Sequence, residues 1–360
     1  LKREDVVMKQ IKSVFVVLLA LAGSCLLVVD TRAANLDVDE GTMEAPYEID
    51  WEVDLAGGYF RPGRNLPGVA SIEQGGAVYG GMTFIANGSA GTGGLLINGG
   101  TLNKADAPFL VRIGSGGNGT MIINSGTAYA SDLEMGYSTS WSELTVNGGT
   151  LNISGGNFGI RMGVLSGGSV GGGIIRQTGG TINVTSKDAR IGYAGGTQPC
   201  TLEIAGGTYN QTSGGMYVGT ASSSGTLHIK GSGATTIDVS RFYTYADYTT
   251  FLFTLDAGGV DVVNVNYAYT TTLAGTLDME TTVSVSAGAY FDLMTTTGTG
   301  ITSNLALAAG DGEFWDLSVV DGKTLRATCV KAIEIPEPAT MALLGVGAAS
   351  VFLGRRRRHG

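Results

Sequence analysis

Gly-Gly-Thr recurs at residues 99–101, 148–150, 179–181 and 206–208, with a Ser-Gly-Thr version at 125–127 and a decayed copy at Ser232-Gly233-Ala234. The third positions step by 26, 23, 31 and 27 residues, then by 26 to Ala234. A second marker, an apolar residue followed by Gly, keeps the same phase: Ile113-Gly114, Met135-Gly136, Met162-Gly163, Ile191-Gly192 and Val218-Gly219. Two markers holding phase over five units describe a repeat of this size. Such a unit is too small to bury its own apolar face and must stack on its neighbours, which makes a solenoid.

Each unit reads as three short strands. Ahead of the Gly-Gly corner, apolar residues alternate with others, as in Leu95-x-Ile97, Leu144-x-Val146, Leu202-x-Ile204 and Leu227-x-Ile229. Behind it stands Thr-apolar-Asn: Thr101-Leu102-Asn103, Thr150-Leu151-Asn152, Thr181-Ile182-Asn183 and Thr208-Tyr209-Asn210. The third strand closes on the second marker, as in Val111-Arg112-Ile113-Gly114. Period-two alternation puts the apolar residues on one face. Glycine supplies the positive φ of the corners and lets turns stack closely. The expected fold is all-β: a single-stranded parallel β-helix of 23–31 residues per turn, with rungs ~4.8 Å apart. A leucine-rich repeat has a similar period, but its leucine framework is missing.

Composition agrees. Glycine makes up 59 of 360 residues, Pro only 7, and charged residues 15%. Without a three-residue period this is not collagen, and 43% hydrophobic residues argue against disorder.

The register predicts what lines up outside. The Thr101/Thr150/Thr181/Thr208 and Asn103/Asn152/Asn183/Asn210 columns should climb one outer face, and they are the candidate glycan-contact ladder. Arg112, Glu134, Arg161, Arg190 and Tyr217 should form another column, in which opposite charges on neighbouring turns can pair. Gln177 falls in an inward slot and needs a hydrogen-bond partner there. The regular repeats span 79–234. Residues 235–333 read as looser final turns and a cap, with Tyr290, Phe291, Phe314 and Trp315 covering the open end. Residues 34–78 read as a solvated acidic leader followed by an N-terminal cap containing Trp51, Tyr59 and Phe60.

Both ends read as addresses. Lys9 and Lys12 precede an apolar run from Val14 to Val29, and small residues follow at Ala33-Ala34. That is the layout of a secretory signal over residues 1–33, with Met8 as start and cleavage between Ala33 and Ala34. A membrane anchor and a lipidated Cys25 are the alternatives. At the other end, Ile335-Pro336-Glu337-Pro338 is followed by apolar Ala339–Gly354 and by Arg355-Arg356-Arg357-Arg358. Both apolar segments are expected to be short helices.

The C-terminal arrangement over 335–360 resembles the PEP-CTERM sorting signal of exported proteins of Gram-negative bacteria that make extracellular polysaccharide. Ile335 stands where that signal usually has Val. The resemblance implies recognition by an exosortase-type membrane protease, which removes the tail near Pro336–Pro338. It also implies transient inner-membrane anchoring, then a place at the cell surface, outer envelope or extracellular matrix. A permanent C-terminal anchor is the alternative. The stretch after Ala234 is similar to the closing segments of autotransporter-like repeat proteins that carry the same signal.

From Ala34 to Glu337 there are 13 basic and 28 acidic residues, a net charge of −15, with eight acids between Asp37 and Asp54. Such a chain does not hold nucleic acid by phosphate neutralisation. Asn35-x-Asp37-x-Asp39 hints at a calcium loop, but Glu40 stands where that loop needs Gly. His228 is the single histidine of this segment and sits at an outward strand position, so a His-centred metal site or triad is not expected. Cys200 and Cys329 fall in different repeats. Repeat acids such as Asp106, Asp132 and Glu203 are scattered singly. A polysaccharide lyase or glycoside hydrolase needs them clustered. No cofactor, metal site or catalytic residue is assigned. The expected function is a structural or adhesive envelope rod associated with exopolysaccharide and touching membrane only through its terminal segments. A carbohydrate-active enzyme on the same scaffold is the alternative.

Overall fold

The computed structural model describes residues 16–21, 24–29, 35–43, 45–88, 91–138, 140–166, 169–193, 198–220 and 222–335. Beyond an N-terminal pair, 28 strands join through one hydrogen-bonded network, coiled into a β-solenoid of about 10 turns. Each turn contributes one strand to each of three parallel sheets. The first sheet stacks the segments ahead of Gly-Gly, the second those behind it, and the third those ending on apolar-Gly.

The stacking register places the apolar columns inside. Leu102 lies over Ala128, then Leu151, Ile182, Tyr209 and Ile237, and all are buried. In the first sheet Leu95, Met121, Leu144, Ile175, Leu202, Leu227 and Phe251 form a second column. Close passage of successive turns explains the corner glycines. Gly180 has φ +61, and a Cβ there would sit 2.6 Å from the Gly148 carbonyl.

Gln177 takes its expected inward slot between Val146 and Ile204. It is wholly buried, and its amide donates to the Thr208 carbonyl at 2.8 Å and the Gly180 carbonyl at 3.3 Å. Its side-chain oxygen finds no partner.

Four expectations change. The segment expected to be a solvated acidic leader is the start of the solenoid. Asn35–Val38 pairs in parallel with Tyr59–Pro62, Tyr47–Ile49 with Gly68–Glu73, and Glu52–Asp54 with Ala77–Tyr79. Three of its acids, Asp37, Asp39 and Glu52, find donors one turn on. Asp37 accepts from Arg61 and Arg64, and Asp39 from the backbone and side chain of Asn65. Second, Thr236 rather than Ala234 continues the Thr column, because one extra residue between Ala234 and Thr236 is absorbed as a bulge.

Third, the final stretch is only partly further turns. Tyr290–Thr296 and Gly300–Leu307 still stack in parallel on the turn before, but Thr324–Cys329 runs antiparallel to both Tyr290–Thr296 and Trp315–Val320, closing the solenoid with an antiparallel meander. Trp315 is buried against Phe291, their rings 6.1 Å apart, while Tyr290 is exposed. Fourth, Val16–Leu21 and Ser24–Val29 form an antiparallel pair in a sheet of their own, where the apolar run was expected to be helical. Valines at both ends of the run, and Gly23 within it, favour strand over helix. The cleavage pair Ala33 and Ala34, and the C-terminal apolar segment, lie outside the described residues. Among the described residues no helix is long and apolar enough to cross a membrane.

Candidate functional site: the outer flanks of the solenoid

The second sheet presents Thr101, Thr127, Thr150, Thr181, Thr208 and Thr236 in register on its outer flank. All are partly exposed. Beside them climb Asn152, Asn183 and Asn210, and the Asn183 amide donates to the Asn152 carbonyl oxygen at 2.9 Å. Asn103 leaves this ladder. It adopts φ +60, is 1% exposed, and donates its amide to the Tyr129 carbonyl at 2.8 Å. The strand ends at Leu102, and Asn is among the few residues that enter the left-handed region at low cost. Tyr129 occupies the rung below Asn152 instead.

A second asparagine ladder runs up the corner between the first and second sheets. The Asn124 amide donates to Asn98, Asn147 to Asn124, and the Thr178 hydroxyl to Asn147, at 2.9, 2.9 and 2.7 Å. The sequence signal for it was present: Asn98 and Asn147 each stand directly before Gly-Gly.

The third sheet carries a different surface. Its outward column contains Asp37 and Arg61, then Phe84, Arg112, Glu134, Arg161, Arg190, Tyr217 and Tyr243 in register. The expected Arg112–Glu134–Arg161 pairing is present. Glu134 bonds both guanidinium groups, at 2.5 Å to Arg112, and is only 3% exposed. Rings from the column and from the adjoining corners fill the gaps. Arg112 lies 4.0 Å from the Tyr137 ring and 5.2 Å from Phe84. Arg161 lies 3.4 Å from Phe158, and Arg161 and Arg190 both reach Tyr193 at 5.3 Å. Arg190 also meets Tyr217 at 4.9 Å, and Tyr217 stacks on Tyr243 with centroids 4.4 Å apart. Cations and rings thus alternate along the flank, each pair contributing an attraction of ~0.5–1 kcal/mol where solvated.

The first sheet's flank holds His228, the one histidine among the described residues. His228 Nδ1 lies 3.4 Å from Glu203, its Nε2 lies 2.9 Å from the Thr254 hydroxyl, and that hydroxyl donates to Glu280 at 3.1 Å. Burial holds the imidazole below its ordinary pKa, while Glu203 and Glu280 pull it partly back up. Carboxylate, imidazole and hydroxyl follow the order of a nucleophile relay. Thr254, however, is 6% exposed and directs its hydroxyl to a second carboxylate, so the chain is a closed hydrogen-bond run. Cys200 and Cys329 are free and buried, and burial pushes the Cys200 thiol up to about 11. Among the described residues, no three His, Cys, Asp or Glu side chains are placed to hold a metal ion.

The chain leaves the solenoid at a defined point. Ile333 bridges to Val285, and the Ile335 N–H donates to the Ser284 hydroxyl at 2.9 Å. Pro336, Glu337, Pro338 and Arg355–Arg358 follow, outside the described residues. Residues 334–358 match the family described as the PEP-CTERM protein-sorting motif. None of the curated proteins compared with the chain matches it.

Proposed function

We propose that this chain, an exported β-solenoid carrying a PEP-CTERM motif sorted by exosortase, is a non-catalytic structural rod of the cell surface or extracellular matrix that holds exopolysaccharide along its outer flanks. One observation carries the reading. A long repetitive surface, closed by an antiparallel end, precedes the sorting motif, and the outward residues are ladders rather than one convergent polar site. Repetition suits many weak contacts with a polymer, each rung adding a little to the whole. Fold alone does not decide function, so the reading leans on the motif and on those flanks.

Intact mass of the native protein tests the sorting half. The expected product lacks both the N-terminal apolar segment and the Arg355–Arg358 tail. Retention of the four arginines replaces sorting with a fixed anchor. The binding half is tested by passing the exported protein over the producing cell's own exopolysaccharide, where lack of retention rejects it. Release of reducing ends or unsaturated uronides from an acidic polysaccharide panel would replace the rod with an enzyme.

A further inference from the structure

The charge of the molecule is unevenly spread. Of the 13 basic residues between 34 and 337, six lie on or beside the third flank: Arg61, Arg64, Arg112, Arg161, Arg190 and Arg241. Three carboxylates pair with them there, Asp37, Glu134 and Asp188. The remaining surface is strongly acidic, so an anion is repelled elsewhere and attracted here. Past Asp188 the column reads Arg190, Tyr217, Tyr243, and the exposed Arg241 lies 5.2 Å from the Tyr267 ring.

The stacking also fixes which part of each cation is free. A guanidinium lying against a ring engages its π face and keeps its N–H groups in the plane. On Arg190, Asp188 takes Nε at 3.2 Å and Nη2 at 2.7 Å, which leaves Nη1 for a further acceptor. The Tyr243 ring, in turn, lies in a space the backbone leaves for it. A Cβ on Gly215 would sit 2.5 Å from that ring. Rungs repeat every ~4.8 Å, close to the length of one sugar in an extended chain, so carboxylates one sugar apart meet successive rungs.

We propose that the third flank binds a linear anionic glycan of the polyuronate type, lying along the solenoid axis and centred on Arg190, Tyr217, Tyr243 and Arg241. The proposal rests on the rod reading above and names its ligand class. Nucleic acid fits less well, because its charges, every ~1.7 Å along a duplex and every ~3.4 Å along one strand, are denser than the rungs and meet the field of a segment, residues 34–337, of net charge −15.

The test is affinity electrophoresis of the exported full chain in gels containing sodium polygalacturonate, neutral dextran or single-stranded DNA. Polygalacturonate is expected to retard the protein, less so as salt is raised, and dextran is not. R190Q/R241Q should lose at least tenfold in affinity with its thermal midpoint kept. G215V, which displaces the Tyr243 ring, should lose a smaller factor. If R190Q/R241Q fails to fold, R241Q alone carries the comparison, since its side chain is exposed. No retardation of the wild-type chain, equal retardation of the variants, or DNA binding as tight as polygalacturonate overturns the proposal. Retention on native exopolysaccharide that survives R190Q/R241Q sinks this inference and leaves the rod standing. Loss of native retention in the wild-type chain sinks both.

Discussion

On the second flank rungs copy one another, Thr over Thr from Thr101 to Thr236 and Asn over Asn from Asn152 to Asn210. On the third, arginines on different rungs are separated by a carboxylate or by rings, some of them from the corners. The chemistry of the side chains explains the difference. An amide both donates and accepts, so it can bond to its own copy one turn away, as Asn183 does to Asn152. A guanidinium only donates, and stacked copies repel. Each therefore needs a carboxylate or a π face between itself and the next. Arg112 and Arg161 have Glu134 between them. Arg161 and Arg190 stand on adjacent rungs and share the Tyr193 ring. A copied amide can bond to its own copy, as Asn183 does, whereas alternation depends on particular residues.

That contrast ranks the outcomes of substitution. The largest effect belongs to Glu134→Ala. The carboxylate is 3% exposed and serves two arginines whose side chains are 19% and 12% exposed. Removing it leaves two enclosed cations without a counter-charge, a loss of the ~3–5 kcal/mol class. Denaturant unfolding of the exported protein measures it. A loss below ~1 kcal/mol would mean that the rings alone hold the column and that alternation of charge is incidental.

Much of this architecture is legible in the sequence because a solenoid turns long-range contacts into a fixed spacing. Partners lie one turn apart, so Leu102, Leu151 and Ile182 announce their column by period alone. The same rule could have revealed the first turn, since Asp37 and Arg61 are separated by one period. There the crowd of acids masked the alternation of Leu36 with Val38 and of Val53 with Leu55. Asn103 was misplaced because sequence pattern does not say where a strand stops and a left-handed residue begins. The closing meander was hidden for a different reason. Parallel rungs and antiparallel strands share the same two-residue alternation, so Thr324–Cys329 reads identically in either direction. The cation–ring stack was only half visible. Its arginines keep register, but Tyr137, Phe158 and Tyr193 come from corners, where the period gives no guidance.

The middle-sized effect sharpens the other side of the comparison. Asn183→Ala removes one donor from a partly exposed ladder whose remaining members can turn to water. The expected loss is ~1 kcal/mol, the usual net worth of one hydrogen bond. Thr181→Val, on the same rung, should stay within ~0.5 kcal/mol, since its β-branched shape suits the strand and its hydroxyl faces solvent. If Asn183→Ala instead matches Glu134→Ala, the copied ladder is as interdependent as the alternating one, and the contrast between the flanks fails.

The first sheet's flank is the intermediate case, and its effect is the smallest and depends on pH. His228 sits between Glu203 and Thr254, with Glu280 beyond and Lys230 two residues along its own strand. Burial lowers its pKa in the folded protein below the ordinary 6.5. The unfolded chain therefore binds the proton first as pH falls. Stability is full above 6.5 and declines as pH drops below it toward the folded value. His228→Gln keeps a hydrogen-bonding side chain on the rung and removes the titration. Urea unfolding of the two proteins at stepwise lower pH should show a steeper loss for the wild-type chain just below 6.5, with parallel curves above. Equal slopes throughout that window would mean that Glu203 and Glu280 fully offset the burial. In that case the histidine, like the asparagines of the second flank, is held at no cost that pH can expose.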